Sequence, residues 1–383
     1  SLGLRLRINK MIYLDSAASH PLLPEVKIAL INAFDDCYAN SASGHLLGEA
    51  ALQRVDEVRE ELADIIGAYP SEIIFTSGAT ESNNIALKSL LLSSDHPKEK
   101  NHIVISAIEH KCIFAICEYL KLQGFEISIV MPNSEGIIEP KNIKDAIRPS
   151  TALVSVMHVN NELGTVNPIS EIGQICFENN ILFHSDAAQS FGKTEIDVDD
   201  INVDIMSFSG HKIGGPKGIG AVYIRDLRKR NVMPVIHGAG QEQGVRGGTV
   251  AAPLILGFGE AINSFPQSYK NFANKQIRSY FLEQLVQSDI SFSINGNKEA
   301  LPHIVSLTLP KTNIGVLVRD NEDTFCLAQG SACSSKEIEA SHVLTALGLS
   351  REEAEYTFRI SFTNQITTID IDLLVSAIKK AAI

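Results

Sequence analysis

Three polar side chains stand where an apolar run of the sequence gives way to small residues. Lys212 lies in SFSGHKIGGPKGIGAVYI (residues 207–224), between the apolar part and the glycines. Asp186 closes the run in FHSDAAQS, and Thr80 follows the Thr76-Ser77-Gly78 turn in FTSGATESNN. A lysine amine that loses water beside a buried strand has its pKa lowered, as a Schiff-base nucleophile requires. Free amides at a helix start, joined by a hydroxyl, make an anion site. A carboxylate at a strand end can pair with a ligand cation. Each residue also has a plainer reading: a solvated surface amine, a core aspartate, a capped helix without a ligand. Taken together, the three supply what pyridoxal 5'-phosphate (PLP) needs: a lysine for its aldehyde, an acid for its pyridinium nitrogen and a cradle for its phosphate. GGPKGIG matches neither GxxxxGK[ST] nor GxGxxG, so a nucleotide loop is set aside.

A second reactive centre lies in LAQGSACSSKEIEASHVLTALG (residues 327–348), where Gly330, Ser331, Ala332, Ser334 and Ser335 surround Cys333. Ser334 and Glu337 have capping-box spacing, which predicts a helix from Ser334 with Ala340, Val343, Leu344 and Leu347 as its apolar stripe. A cysteine just before a helix start is favoured as the thiolate. The plainer reading is an inert loop cysteine. In YTFRISF, alternation puts Thr357, Arg359 and Ser361 on one strand face. An arginine there calls for a carboxylate, either internal or on a ligand. Asn160 and Asn161 stand at another strand end, where paired amides also form turns. Cys37, Cys112, Cys117, Cys176 and Cys326 sit in apolar or helical contexts and read as structural. With no CxxC pair and no HExxH, no metal site is expected.

The elements that must position these residues are legible as alternating runs. EIIFTS, HIVISA, ISIVMP, TALVSVMH, NILFHSD, VDIMSFS and GAVYI read as buried strands. Amphipathic stretches such as SNNIALKSLLLS and PISEIGQICFEN lie between several of them. This order predicts βαβ units and a mainly parallel sheet, with ligands at the carboxyl ends of its strands. After about Gly257 the pattern loosens into IRSYFLEQLVQ, HIVSLTL, EIEASHVLTALG and FRISF, which predicts a second, smaller α/β domain. A chain of 383 residues, 44% hydrophobic, has ample material for both cores. The net charge of −12 argues against whole-surface attraction to nucleic acid or anionic membrane. No apolar run approaches the ~18 residues of a membrane span, and a reducing cytoplasm is the expected setting. The first ten residues precede Met11, and MIYLDSAAS reads as a natural start, so they are left out of functional reasoning.

From Met11 onward the chain resembles the cysteine desulfurases of the class V aminotransferase family. The resemblance rests on YLDSAAS, FTSGATESNN, EHK, HVNNELGTVNPI, DAAQSFGK, MSFSGHKIGGPKGIGAVYI, GQEQGVRGGT and GSACSS, in that order. It implies an α/β fold, the PLP-dependent transferase fold type I. The expected large domain (22–260) carries a mainly parallel seven-stranded sheet. The expected small domain (11–21 and 261–383) is built from both chain ends and carries the catalytic-cysteine loop. It also implies a homodimer and the conversion of L-cysteine to L-alanine, with the sulfur handed as a persulfide to an acceptor protein.

The residue roles implied are these. Lys212 would be the Schiff-base lysine. His110 would stack on the PLP ring and assist proton transfer. Asp186 would hold the pyridinium nitrogen and Gln189 the phenolic oxygen. Ala79, Thr80, Ser209 and His211 would bind the phosphate, with Thr249 arriving from the partner subunit. Asn161 and Arg359 would hold the substrate carboxylate, and Cys333 would take the sulfur. The acceptor would be an iron–sulfur scaffold or a partner in tRNA thiolation or DNA phosphorothioation. Two stretches depart from the family pattern: NSASGH lacks the usual proline, and TNQ follows FRISF in place of Leu-Gly-Arg. Rival readings are a selenocysteine lyase or aminotransferase of the same fold, and a cofactor-free scaffold for sulfur-relay partners.

Overall fold

All seven runs expected to be buried strands join one sheet. The structure, a computed structural model, describes residues 11–273, 275–329 and 341–382. After β1 (Ile12–Leu14) come the helices α1 (Pro24–Asp36) and α2 (Leu46–Ile66). The large sheet then forms in the order β2 (Ile73–Thr76), α3 (Ala79–Lys88), β3 (His102–Ser106), α4 (Lys111–Leu122), β4 (Glu126–Val130), α5 (Pro140–Ala146) and β5 (Thr151–Ser155). It continues through α6 (Ile169–Glu178), β6 (Leu182–Asp186), β7 (Ile205–Ser209) and β8 (Gly220–Ile224). Its strand order is β2-β8-β7-β6-β5-β3-β4.

Both faces of this sheet are covered along its central strands, which is why those strands read as unbroken apolar runs and not as alternation, whereas β4, expected to be buried, is an edge strand with Glu126 and Ile129 exposed. Val104, Val154, Phe183 and Met206 face one core; Ile103, Ile105, Leu153 and Ile205 face another. β8 alone runs against its neighbours β7 and β2. Only residues 210–219 separate it from β7, fewer than the dozen or so that a parallel crossover needs.

The long helix α7 (Ala252–Ala273) packs on α1 and α2 and leads to the second sheet. That part contains α8 (Ile277–Gln287), β9 (Ser293–Asn295), β10 (Ile304–Thr308), α9 (Ile314–Asp320) and β11 (Phe325–Gln329). The short helices α10 (His342–Ala346) and α11 (Arg351–Glu355) precede β12 (Thr357–Ser361) and α12 (Thr368–Lys380). The order in the second sheet is β1-β11-β12-β10-β9, so the N-terminal strand joins C-terminal ones. α10 belongs elsewhere: its Val343 and Leu344 pack into the core of the large sheet. No helix among the described residues is long and apolar enough to cross a membrane.

Candidate active site

The carboxyl ends of β2, β5, β6 and β7 and the turn after β3 surround a cavity of about 610 Å³. At the end of β2, Gly78 adopts φ +145°, a backbone conformation that only glycine holds without strain. Opposite it, Gly220 starts β8, where a Cβ atom would meet Gly78 Cα at 2.7 Å and Phe208 O at 2.5 Å. Two bare backbones therefore let the turn fold inward and aim the start of α3 at the cavity. Ala79 and Thr80 line the cavity there, and no side chain caps the helix. Its amides are free for an anion.

Asp186 closes β6 at the cavity wall and is buried. Asn83 Nδ2 donates to its Oδ2 at 2.8 Å, and the Ala188 amide donates to its Oδ1 at 2.9 Å. Both donors keep the carboxylate fixed for a cationic partner. Nearby, Glu109 is fully buried; its Oε1 accepts from Ser106 Oγ at 2.5 Å and from the Met157 amide at 2.7 Å. Burial pushes the Glu109 carboxyl up to about 8.

Lys212 Nζ donates to Ala17 O at 2.7 Å and to Ala18 O at 2.8 Å. Gln189 Nε2 donates to the same Ala17 O, also at 2.7 Å. Burial, then the Arg359 cation, lowers the Lys212 amine to about 8, while Asp186 and Asp15 oppose the shift. His110 caps α4, and its Nδ1 accepts from the Cys112 amide at 3.2 Å, so the neutral ring carries its proton on Nε2. Burial holds His110 below the usual histidine range. His211 is brought to about 4 by burial and by the charge of Lys212, and its Nδ1 lies 3.2 Å from Ser19 Oγ.

Arg359, on β12, reaches the same cavity from the second sheet. Its Nη2 donates to Asp15 Oδ1 at 2.5 Å and its Nη1 to Asn161 O at 2.9 Å. Both sequence readings of this residue therefore find support: it has an internal carboxylate partner, and it faces a ligand cavity. Its Nε is buried without a partner, as is Ser209 Oγ. A buried polar atom without a partner costs free energy unless a ligand satisfies it. These two atoms, the uncapped start of α3, the fixed Asp186 carboxylate and the desolvated Lys212 amine fit PLP and a substrate carboxylate.

Ala79, Thr80, His110, Asn161 and Asp186 thus share one cavity with Gln189, Ser209, His211, Lys212 and Arg359. Thr249 stands outside its lining and is exposed. Cys333 and the helix expected from Ser334 lie outside the described residues, as do the first ten; the described helix that follows, α10, is capped by Ser341. Sequence reading missed Asn83, Asp15 and the carbonyls of Ala17 and Ala18. Asn83 had a signal, since it sits three residues after Thr80 and so on the same helix face. Cys112, read as structural, lines the cavity, and burial raises its thiol to about 11.

The class-V aminotransferase profile matches residues 12–374. A mitochondrial cysteine desulfurase of Arthroderma benhamiae is 40% identical over 377 residues, which cover 97% of this chain and 74% of that protein. Cysteine desulfurase IscS of Rickettsia bellii is 39% identical over 371 residues, covering 96% and 90%. The solved structure of SspA in complex with cysteine superposes with a TM-score of 0.82 at 43% identity, over 93% of this chain and 99% of that one. With the mainly parallel sheet and the lysine, aspartate and anion cradle gathered at its strand ends, these matches show that the chain belongs to the PLP-dependent cysteine desulfurases of the class-V aminotransferase family.

Proposed function

We propose that this cysteine desulfurase converts L-cysteine to L-alanine with Lys212 moving the proton at the substrate Cα and Cys333 carrying off the sulfur. The observation that carries the assignment is the placement of the Lys212 amine, held on two backbone carbonyls in one cavity with Asp186 and Arg359. Bound PLP supplies an electron sink for negative charge at Cα. The residues of the chain do the rest. Arg359, oriented by Asp15 and Asn161 O, takes the substrate carboxylate, and Asn161 lies beside it. Lys212, with its amine near 8, reaches the neutral form near physiological pH and acts as the base. His110 holds a proton on Nε2 for transfer. The Cys333 thiolate attacks the substrate sulfur; the S–S bond forms, the Cβ–S bond breaks, and the electron pair left at Cβ takes a proton to become the alanine methyl.

A second copy of the chain is part of the proposal. Thr249 is exposed outside its own cavity, as a residue serving a partner's site would be. The sulfur acceptor is proposed to be a protein, and the setting a reducing cytoplasm. The five described cysteines, all free thiols, agree with that setting.

The test is single-turnover chemistry with L-cysteine. Wild type should release alanine and show one added sulfur on the peptide holding Cys333. Cys333→Ser should bind PLP yet lose alanine formation by about a hundredfold or more, because a hydroxyl cannot accept sulfur at neutral pH. Lys212→Ala should lose the covalent attachment of PLP. Full activity of Cys333→Ser, or faster turnover of selenocysteine that needs no protein thiol, would establish a lyase instead.

A further inference from the structure

Behind the site lies an amine that the mechanism above does not use. Lys193 ends the DAAQSFGK segment and lines a small neighbouring cleft, outside the lining of the cavity that holds Asp186. Its Nζ donates to Gln189 O at 3.0 Å and to Lys212 O at 3.2 Å. Among the described residues no carboxylate forms an ion pair with it. Its surroundings are the Phe265 ring, 5.4 Å from Nζ, with Tyr269, His20 and His303. Burial, followed by the charge of Lys212, lowers it to about 7. His20 and His303 are also held in the neutral form by burial, so neither adds a second positive charge beside the amine. An amine kept in such a place without an anion needs a reason, because an apolar side chain would pack there at less cost.

The geometry supplies one. Gln189 and Lys212 belong to different segments, the turn after β6 and the turn after β7. Their side chains meet on Ala17 O, and their backbone carbonyls meet on Lys193 Nζ. The contacts form a closed ring through two residues that face the cofactor cavity. When Lys212 leaves Ala17 and Ala18 to act on a ligand, the side-chain half of the ring opens and the Lys193 half remains. Both carbonyls can be served whether Lys193 is an ammonium or a neutral amine, since either form has enough N–H groups.

We infer that Lys193 is a positioning residue: it anchors the backbone of Lys212 to the Asp186–Gln189 turn, so that the catalytic amine swings from a fixed pivot. The inference rests on the reading of Lys212 given above. A small displacement of a reacting group costs rate more than binding, so the effect belongs in kcat and not in KM.

The experiment compares Lys193→Met, which keeps length and removes the donor, with Lys193→Arg, which keeps donors. In the cofactor-free protein, hydrogen exchange at the amides of Gly214 and Gly215, which bond Gly210 O within the Lys212 turn, should quicken about tenfold in Lys193→Met. In the loaded enzyme kcat for cysteine should fall about tenfold or more, in line with loss of a buried hydrogen bond and a displaced reacting amine, while KM stays within about threefold. Lys193→Arg should recover most of both. Should Lys193→Met fail to fold, Lys193→Leu, which also removes the donor, carries the same comparison. Unchanged exchange at Gly214 and Gly215 with kcat near wild type overturns the inference. So does a loss of kcat that only follows lost PLP. An inactive wild type would instead reject the desulfurase chemistry, and the exchange measurement would still decide the role of Lys193.

Discussion

Asp15 Oδ1 and Arg359 Nη2 lie 2.5 Å apart although 344 residues separate them in the chain. The contact forms because β1 joins the second sheet beside β11, and Asp15 bridges to Ser361 at the end of β12. With Nη1 held by Asn161 O, the guanidinium plane is set and Nε is left without a partner. Arg359→Ala should therefore raise KM for cysteine ten- to hundredfold, the worth of a charge-assisted pair at ~1.5–3 kcal/mol, with PLP still bound. Asp15→Ala should raise KM by about tenfold, because it acts through Arg359. The double variant should be no worse than Arg359→Ala. Steady-state kinetics on the three proteins checks this; additive losses would mean that Asp15 has a separate task.

Asn83 is the side-chain donor to Asp186, and it stands on the same helix as the anion cradle. Asn83→Ala should weaken PLP binding by about tenfold, as loss of a hydrogen bond to a charged group implies. Asn83→Asp should weaken it further, since it would set a carboxylate against a carboxylate. Absorbance titration of the cofactor-free proteins with PLP measures both. Equal affinity in Asn83→Asp and wild type would remove Asn83 from the account.

Acid should destabilise the cofactor-free protein over a definite window. Burial lowers His20, His102, His158 and His211 to about 4 and His184 to about 3. Unfolded, each titrates near ~6.5. The unfolded state thus takes up protons first as pH falls below about 6.5, and stability drops until the folded values near 4 are reached. Glu109, raised to about 8, works in the other direction, but it is one group against five. Denaturant unfolding at a series of pH values should show the midpoint falling steeply between about pH 6.5 and 4. His184, whose ring nitrogens meet only the hydroxyls of Ser155 and Ser207, is the natural variant for locating the effect. A flat profile across that window would contradict the buried neutral histidines.

Much of the site was legible in the sequence because its residues sit at the ends of locally encoded elements. A buried strand announces itself as an apolar run, and a glycine turn announces where it stops. That alone places Thr80, Asp186 and Lys212 at strand ends, and a doubly covered sheet brings such ends to one side. The seven runs became seven strands of one sheet for this reason. The family motifs in their order carried the assignment of Ala79, His110, Asn161, Gln189, Ser209 and His211, which share the cavity in the structure.

Contacts between distant segments left no local trace. Asp15 reads as one aspartate in YLDSAAS until β1 lies beside β11. Lys193 is one lysine at the end of DAAQSFGK until the turns after β6 and β7 bring two carbonyls to its amine. α10 lies between β11 and β12 of the second sheet in sequence but packs Val343 and Leu344 against the large sheet. The sequence alone determined which segments become strands and which side chains stand at their ends, since those depend on the pattern of near neighbours. Only the tertiary structure decided which carbonyl, carboxylate or helix each of those side chains would meet, because such contacts follow from how whole elements pack and not from spacing along the chain.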